Sequence, residues 1–210
     1  MKRNLILTLL IILGAFSIHA QKIFSEGAIK YDVFLKGSTE PDGIYVISVK
    51  AGFIKQEWAM KNGFNNITIY NQKTGITLSL NTKDETRYAL EITQEELKQK
   101  NKRFENAVFA PTSSSKKIAG YSTTGSKVTY KNGDEVDIFY TSDLIPQNET
   151  FNTMFPGLKG IPLEYATLSS GANSMKFVAS LVEIKVLDNS VFNIPPDYKI
   201  ISKAELEKLK

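Results

Sequence analysis

The sequence predicts an α+β domain in which strands dominate, with one central helix and a short C-terminal helix. Several short segments alternate apolar and polar residues, which is typical of strands that bury one face of a sheet. Asn132-Gly133 lies between two such segments and is a dipeptide typical of a tight β-hairpin. Two Ser/Thr-x-x-Glu sequences outside these segments match the pattern that begins helices. We see neither a second domain nor an internal repeat.

Six strands are predicted in the first half of the chain. They are Ala28–Lys36, Gly43–Lys50, Phe53–Met60, Asn66–Tyr70, Ile76–Leu80 and Arg87–Ile92. Turns are predicted at Ala51-Gly52 and at Gln72–Gly75. In Ile76–Leu80, three large apolar residues alternate with Thr77 and Ser79, which predicts one buried face and one wet face.

The central helix is predicted from its first residues. Thr93 is followed three residues later by Glu96, the spacing of a capping box. The helix runs to about Phe104, and Leu97 lies one heptad before that residue. This spacing predicts that one side of the helix docks on a sheet.

A short C-terminal helix is predicted from the same spacing. Ser202 is followed by Glu205, which repeats the capping box. This helix is short and rich in lysine, so it either packs through Leu206 and Leu209 or frays.

Four more strands are predicted after the central helix, beyond a polar loop at Pro111–Ser115. They are Lys127–Lys131, Asp134–Tyr140, Ile161–Leu168 and Ser174–Leu187. The last carries apolar residues on both faces, which predicts a central strand covered on both sides. Gly52 and Gly120 lie at or beside strands and are expected to bend the sheet.

The first 20 residues are typical of a secretory signal peptide. Lys2 and Arg3 precede an apolar run from Leu5 to Phe16, and a small residue, Ala20, precedes Gln21. The run falls short of the ~20 residues that span a bilayer, so cleavage is favoured over an N-terminal membrane anchor. We therefore expect a single domain over residues 21–210 that is periplasmic or secreted and does not span the membrane.

Composition argues against most enzymes. The chain has no cysteine, and its one histidine, His19, lies within the expected signal peptide. The exported protein would lack the commonest general base, the commonest metal ligand and the most reactive nucleophile. The formal net charge of +4 falls by two when Lys2 and Arg3 are removed, so a nucleic-acid partner is not indicated. No cofactor and no metal site is predicted.

Motifs that resemble catalytic ones have simpler explanations. Ser113-x-x-Lys116 and Lys73-Thr74-Gly75 match penicillin-recognising enzymes, but their order along the chain is reversed and the second is explained as a turn. A pair of carboxylates able to hydrolyse a glycoside stays open, because the sequence gives no separations.

One loop is unusually apolar. Phe151–Leu158 carries four large apolar side chains and contains the turn Pro156-Gly157. Such a loop either folds back into the core or forms a flap over an apolar cavity, with Met154 and Phe155 at its mouth. Trp58 presents the same choice between a core position and a ligand platform.

Large apolar residues on the loop and on two strands are the candidate ligand contacts. They are Trp58, Met60, Met154, Phe155, Leu158, Met175 and Phe177.

Four short motifs carry a family resemblance. They are Ile118–Tyr121, Ile138–Leu144, Leu158–Tyr165 and Phe192–Lys199. Their order resembles an exported bacterial family of unknown function that is grouped with the lipoprotein-carrier (LolA/LolB-like) fold. The resemblance covers about Glu26 to Ile200, and none of the motifs is catalytic. Many relatives carry a cysteine shortly after the Gly-Tyr, whereas Ser122-Thr123-Thr124 follow here, so any role of that thiol is absent.

The resemblance implies a strongly curved antiparallel sheet that forms an incomplete β-barrel, with helices and loops over its concave face. Carriers of this type hold acyl chains in that hollow. The strand pattern suits such an α+β half-barrel, and a lipocalin-like closed barrel is the alternative.

Two functions are expected. The first is an exported, non-enzymatic binding protein that shelters an apolar ligand, a lipid or an acylated molecule, on the concave face of its sheet. The second is a structural or interaction component of the cell envelope that docks another envelope protein through a sheet edge or face and has no small-molecule ligand. The first predicts a cavity and the second a filled core.

Overall fold

The computed structural model describes residues 21–83, 86–168 and 174–207. The expected signal peptide and Leu209 lie outside these residues. The described part is a mostly-sheet α+β fold with one large curved sheet and few helices, which confirms the predicted class. No helix of the described part is long and apolar enough to span a bilayer.

The first seven strands precede the central helix. They are β1 (Lys22–Phe24), β2 (Glu26–Leu35), β3 (Gly43–Lys50), β4 (Phe53–Met60), β5 (Asn65–Asn71), β6 (Ile76–Lys83) and β7 (Thr86–Ile92). The helix is α1 (Gln94–Asn101), which a 3-10 turn extends over Lys102–Phe104.

The remaining elements follow that turn. The strands are β8 (Val108–Ile118), β9 (Tyr121–Thr129), β10 (Glu135–Thr141), β11 (Leu144–Pro146), β12 (Ile161–Ala166), β13 (Met175–Glu183) and β14 (Lys199–Ile201). Two further 3-10 turns are Glu149–Asn152 and Asn189–Phe192, and the C-terminal helix is α2 (Lys203–Glu207).

Twelve of these strands form one sheet in the order β14-β7-β6-β5-β4-β3-β2-β13-β12-β10-β9-β8. Neighbours pair antiparallel, except that β14 pairs parallel with β7. β1 and β11 form a separate parallel pair. Within the described residues β14 and β8 are the two edges and do not pair with each other, so the lipocalin-like closed barrel is not found.

The predicted hairpin turns are present. The Asn132-Gly133 turn joins β9 to β10, and Gly75 ends the turn between β5 and β6 with a φ of 70°. Gly52 and Gly120, with φ of 85° and 87°, also lie in two-residue turns. Lys50 pairs with Phe53 across the first of these turns. These two glycines therefore reverse the chain, and the expectation that they bend strands is wrong.

The segment at Pro111–Ser115 was expected to be a polar loop, and this is wrong. It lies within β8, which pairs with β9 on both sides of a register shift between Pro111 and Ser115. The polar sequence is tolerated because β8 is an edge strand with most of its residues exposed. The bulged residues lie over Gly125, where a side chain would meet Thr112 Oγ1.

The last long strand is central but is not covered on both sides. β13 lies between β2 and β12, as predicted, and ends at Glu183. A register shift between Ala179 and Leu181 interrupts its alternation. Leu181 is 46% exposed, and Val186, beyond the strand, is 84% exposed. Coverage on both sides is therefore wrong for this end of the run.

The two faces of the sheet are covered differently. The inner face, defined here as the face that carries Tyr31, Tyr45 and Ile54, holds the main core. The outer face is its opposite. Pairing places Gln56 beside Thr68 and Tyr70 beside Thr77, so these residues lie on the inner face.

On the outer face, the C-terminal segment covers β4 to β7. Two strand residues, Ile69 and Leu80, are buried there together with Ala89, and Ile194 and Tyr198 pack on them. The ring of Phe192 lies 5.6 Å from that of Phe53. The apolar face of β6 is thus buried as predicted, but against the C-terminal segment.

Candidate functional site

A large cavity lies between the inner face and α1. Its volume is about 900 Å³. Ile54 and Gln56 of β4, Thr68 and Tyr70 of β5 and Thr77 of β6 line its floor. Alternation on adjacent paired strands brings these side chains together, because every second residue points to the same face. The Thr68 hydroxyl donates to Gln56 Oε1 over 3.2 Å.

Thr77 faces the cavity and is only 7% exposed. The sequence predicts a wet face for this strand, because a threonine that alternates with leucine and isoleucine is typical of a solvent-facing position. That face is covered by α1, which the local pattern of β6 does not reveal. The prediction of a wet face at Thr77 is wrong.

The roof is α1, which its capping box begins as predicted. The Glu96 backbone N–H donates to Thr93 Oγ1, and the Thr93 backbone N–H donates to the Glu96 carboxylate over 3.0 Å. This backbone hydrogen bond from Thr93 is the main cause that lowers the pKa of Glu96. No residue of α1 is buried, although Leu97 lines the cavity. Phe104 does contact the core, with its ring 5.6 Å from that of Tyr130.

The side wall is the start of the apolar loop. Thr150 and Thr153 line the cavity. Phe155 is 2% exposed, and Phe151 and Leu158 are also buried in the main core. The loop thus folds back into the core, the first of the two predicted alternatives.

The structure gathers the seven candidate ligand contacts in the main core. Met60, Phe155, Leu158 and Phe177 are buried, and Trp58, Met154 and Met175 are partly buried against them. Trp58 packs against Tyr45 and Phe177, at ring distances of 4.5 and 5.4 Å.

None of the seven lines the large cavity, and their role in binding stays a prediction. Sequence reasoning missed the cavity's polar floor because it searched for large apolar residues. The sequence of α1 could have indicated the cavity. Its one large apolar residue is Leu97, which is too little to fill the space between a helix and a sheet.

A smaller pocket of about 50 Å³ lies beside the large cavity, since Gln56 and Thr153 line both. Met154 and Phe155 line this pocket, together with three buried tyrosines. They are Tyr31, Tyr45 and Tyr165. Burial raises the pKa of all three well above its ordinary value of 10, so they stay neutral.

Charged side chains in the described part lie mostly on the surface, and several are paired. Lys116 Nζ lies 2.6 Å from Glu164 Oε2 and stands 4.0 Å from the centre of the Phe139 ring. No group of three or more possible metal-ligating His, Cys, Asp or Glu residues occurs in the described part.

Comparisons with known proteins identify a likeness of fold. No family model matches the chain, and no curated protein matches it significantly. Thirty chains of solved structures match. PNGF-II in its P21 crystal form has a TM-score of 0.50 and 18% identity, over 88% of this chain and 33% of PNGF-II. In its C2 form the TM-score is 0.48 and the identity 16%, over 87% of this chain and 32% of PNGF-II.

MucB has a TM-score of 0.42 and 10% identity, over 80% of this chain and 58% of MucB. The chain spans about a third of the length of PNGF-II. Because the identities do not exceed 18%, these matches concern the fold alone.

Proposed function

We propose that this protein is an exported, non-enzymatic binding protein that shelters an apolar molecule, a lipid or an acylated compound, in the cavity beneath α1. The observation that carries the proposal is the cavity itself. Its volume of about 900 Å³ lies within the range of roughly 300–1,000 Å³ that is typical of small-molecule sites.

The lining supports an amphiphilic occupant. Ile54, Tyr70, Ile92 and Leu97 supply apolar surface, while threonine hydroxyls of the floor supply hydrogen-bonding groups. A helix with no buried residue forms the roof, so displacing it would expose little core. This combination suits a site that admits a ligand between helix and sheet.

The location and the ancestry are part of the same proposal. We infer that the protein acts in the periplasm or outside the cell and belongs with the exported family of unknown function that its motifs resemble. Its open sheet would then be the incomplete barrel of the lipoprotein carriers, with α1 over the concave face. The cavity takes the place of the acyl-chain hollow.

A second candidate function is docking of an envelope protein at an edge of the sheet. β8 favours it, because this edge strand has 11 residues and Val108 is 65% exposed. Pro111, the bulge and two adjacent lysines are, however, features that protect an edge from pairing with another chain. The cavity and this protected edge together favour the binding protein.

Fluorescence titration of the purified protein with 1-N-phenylnaphthylamine tests the proposal. We expect saturable binding to the wild type. Thr77→Phe places a large ring in the cavity and should weaken binding about tenfold or more, since it removes space from the site.

Thr82→Phe is the matched control, because Thr82 lies on the same strand, is exposed, and alternates to the outer face. It should leave binding unchanged. Absence of saturable binding to the wild type, or equal binding to both variants, would overturn the proposal.

A further inference from the structure

Two buried side-chain oxygens of the described part lack a hydrogen-bond partner, and they are Ser126 Oγ and Asn152 Oδ1. Asn152 is 7% exposed, and its amide nitrogen donates to the backbone oxygen of Gly160 over 2.9 Å. That bond fixes which end of the amide is the nitrogen, and Oδ1 is left without a hydrogen bond. Buried polar atoms are nearly always paired, so this oxygen needs an explanation.

Asn152 lines the smaller pocket described above. The volume of about 50 Å³ exceeds the roughly 10–15 Å³ that one water molecule needs, so a small chemical group fits. The hydroxyl of Tyr31 does not donate to Asn152, because it donates to the backbone oxygen of Pro162 over 2.9 Å. Asn152 therefore carries an acceptor oxygen without a partner and lines a pocket with room for a donor.

The chemistry of the pocket selects a neutral group. No charged residue of the described part lines it, and its tyrosines stay neutral because they are buried. An anion would meet a carbonyl oxygen, and a cation would lose its water without gaining a counter-charge. A hydroxyl or an amide N–H avoids both costs.

The pocket is placed to read one end of a ligand. Gln56 and Thr153 line both the pocket and the large cavity, so the two spaces share a wall. An apolar chain that lies under α1 can therefore bring a terminal group to this wall.

We propose that the small pocket is a polar subsite of the binding cavity, in which Asn152 Oδ1 accepts a hydrogen bond from a neutral hydroxyl or amide at the end of an apolar chain. This inference rests on the proposed function. It narrows the ligand class to apolar chains that carry a neutral donor.

Two isomeric probes isolate the donor. Dodecan-1-ol and 1-methoxyundecane have the same formula, but only the alcohol donates a hydrogen bond. Each is titrated against protein saturated with 1-N-phenylnaphthylamine. We expect the alcohol to displace the dye with an affinity about five- to tenfold higher, the effect of one net hydrogen bond.

Equal affinities, or displacement by neither isomer, would overturn the subsite while dye binding itself left the proposed function standing. Equal affinities are also the outcome if the pocket holds only water. Failure of the dye to bind would instead overturn the proposed function.

Variants assign the preference to its residue. Asn152→Leu removes the acceptor and should reduce the preference to less than about twofold, while affinity for the ether persists. Asn65→Leu is the matched control, because it makes the same change at an exposed asparagine that does not line the pocket, so the preference should stay. Retention of the preference in Asn152→Leu would overturn the assignment. If that variant does not fold, the two isomers on the wild type decide.

Discussion

The inner face of the sheet is packed in one half and hollow in the other. Over β2, β3, β12 and β13, aromatic rings fill the space, with Tyr31 5.8 Å from Tyr45 and Tyr165 stacked 4.8 Å from Phe177. Over β4 to β6, the same face carries Ile54, Gln56, Tyr70 and two threonines beneath a helix that buries no residue.

Side-chain size accounts for the difference. Both halves alternate with the same period, and pairing runs across them without a break from β2 to β6. Aromatic side chains reach the facing loop, whereas threonine is too short to reach α1 and leaves a void. The hollow half is packed on its outer face, where Ile69 and Leu80 are buried.

The largest expected effect is in the packed half. Phe155→Ala should lower the free energy of unfolding by about 3–5 kcal/mol, because it leaves a cavity in a filled core. Leu97→Ala, at the hollow half, should cost about 1 kcal/mol or less, since its surroundings are already open. Urea denaturation measures both, and equal costs would contradict the comparison.

The hollow half should be sensitive on its outer face. Leu80 is 4% exposed beneath the C-terminal segment, so Leu80→Ala should cost about 2–4 kcal/mol. Thr77→Ala, on the cavity side of the same strand, should cost less than about 1 kcal/mol because it only enlarges an existing space. Thermal and urea unfolding distinguish the two, and the reverse order would show that the inner face holds this half.

Removal of the N-terminal cap of α1, the roof of the cavity, should destabilise this helix without affecting the core. Thr93→Ala removes the capping box and should cost about 1 kcal/mol within α1. Faster hydrogen exchange of the α1 amides and weaker dye binding are expected. Ser202→Ala removes the equivalent box of α2, away from the cavity, and should leave dye binding unchanged. If both variants lost dye binding, the loss could not be attributed to destabilisation of α1.

The smallest effect concerns the C-terminal segment that covers the hollow half. The Glu26 carboxylate accepts the Leu187 backbone N–H over 2.8 Å and pairs with Lys50 at 3.0 Å. The first of these, then the second, lowers the pKa of Glu26 below its ordinary value of 4.5. The Glu26 carboxylate therefore stabilises the fold fully above about pH 4.5. This contribution is lost as the pH falls through the lowered pKa of Glu26.

Unfolding followed between pH 6 and pH 3 measures this loss, and Glu26→Gln should flatten the acid end of the profile. An unchanged profile in the variant would show that this carboxylate does not hold the segment.

Local pattern was sufficient for most strands. β3 and β4 have the predicted bounds, and the capping boxes at Thr93 and Ser202 are present, because turns and caps depend on neighbours along the chain. β8 was missed, since an edge strand needs no apolar alternation. The parallel pairing of β14 with β7 was also missed, because distant pairing leaves no local signal.

The sequence predicted a cavity under the first expected function but did not predict the residues that line it. The sequence indicated an apolar hollow and the loop beside it, but the residues chosen as its lining, such as Trp58 and Phe177, lie in the main core. Large apolar residues are the ones most strongly driven into the packed core. The open cavity is therefore lined largely by smaller and polar residues such as Thr77 and Gln56.

By itself the sequence determined the class of fold, the starts of the helices and the hairpin turns, because each depends on residues a few positions apart. The tertiary structure alone decided which half of the inner face is packed and which is hollow. It also left Asn152 Oδ1 without a partner, on a residue that lines the smaller pocket. Void space depends on how side chains from separate strands, a helix and a loop fill a shared volume, and no single segment encodes that sum.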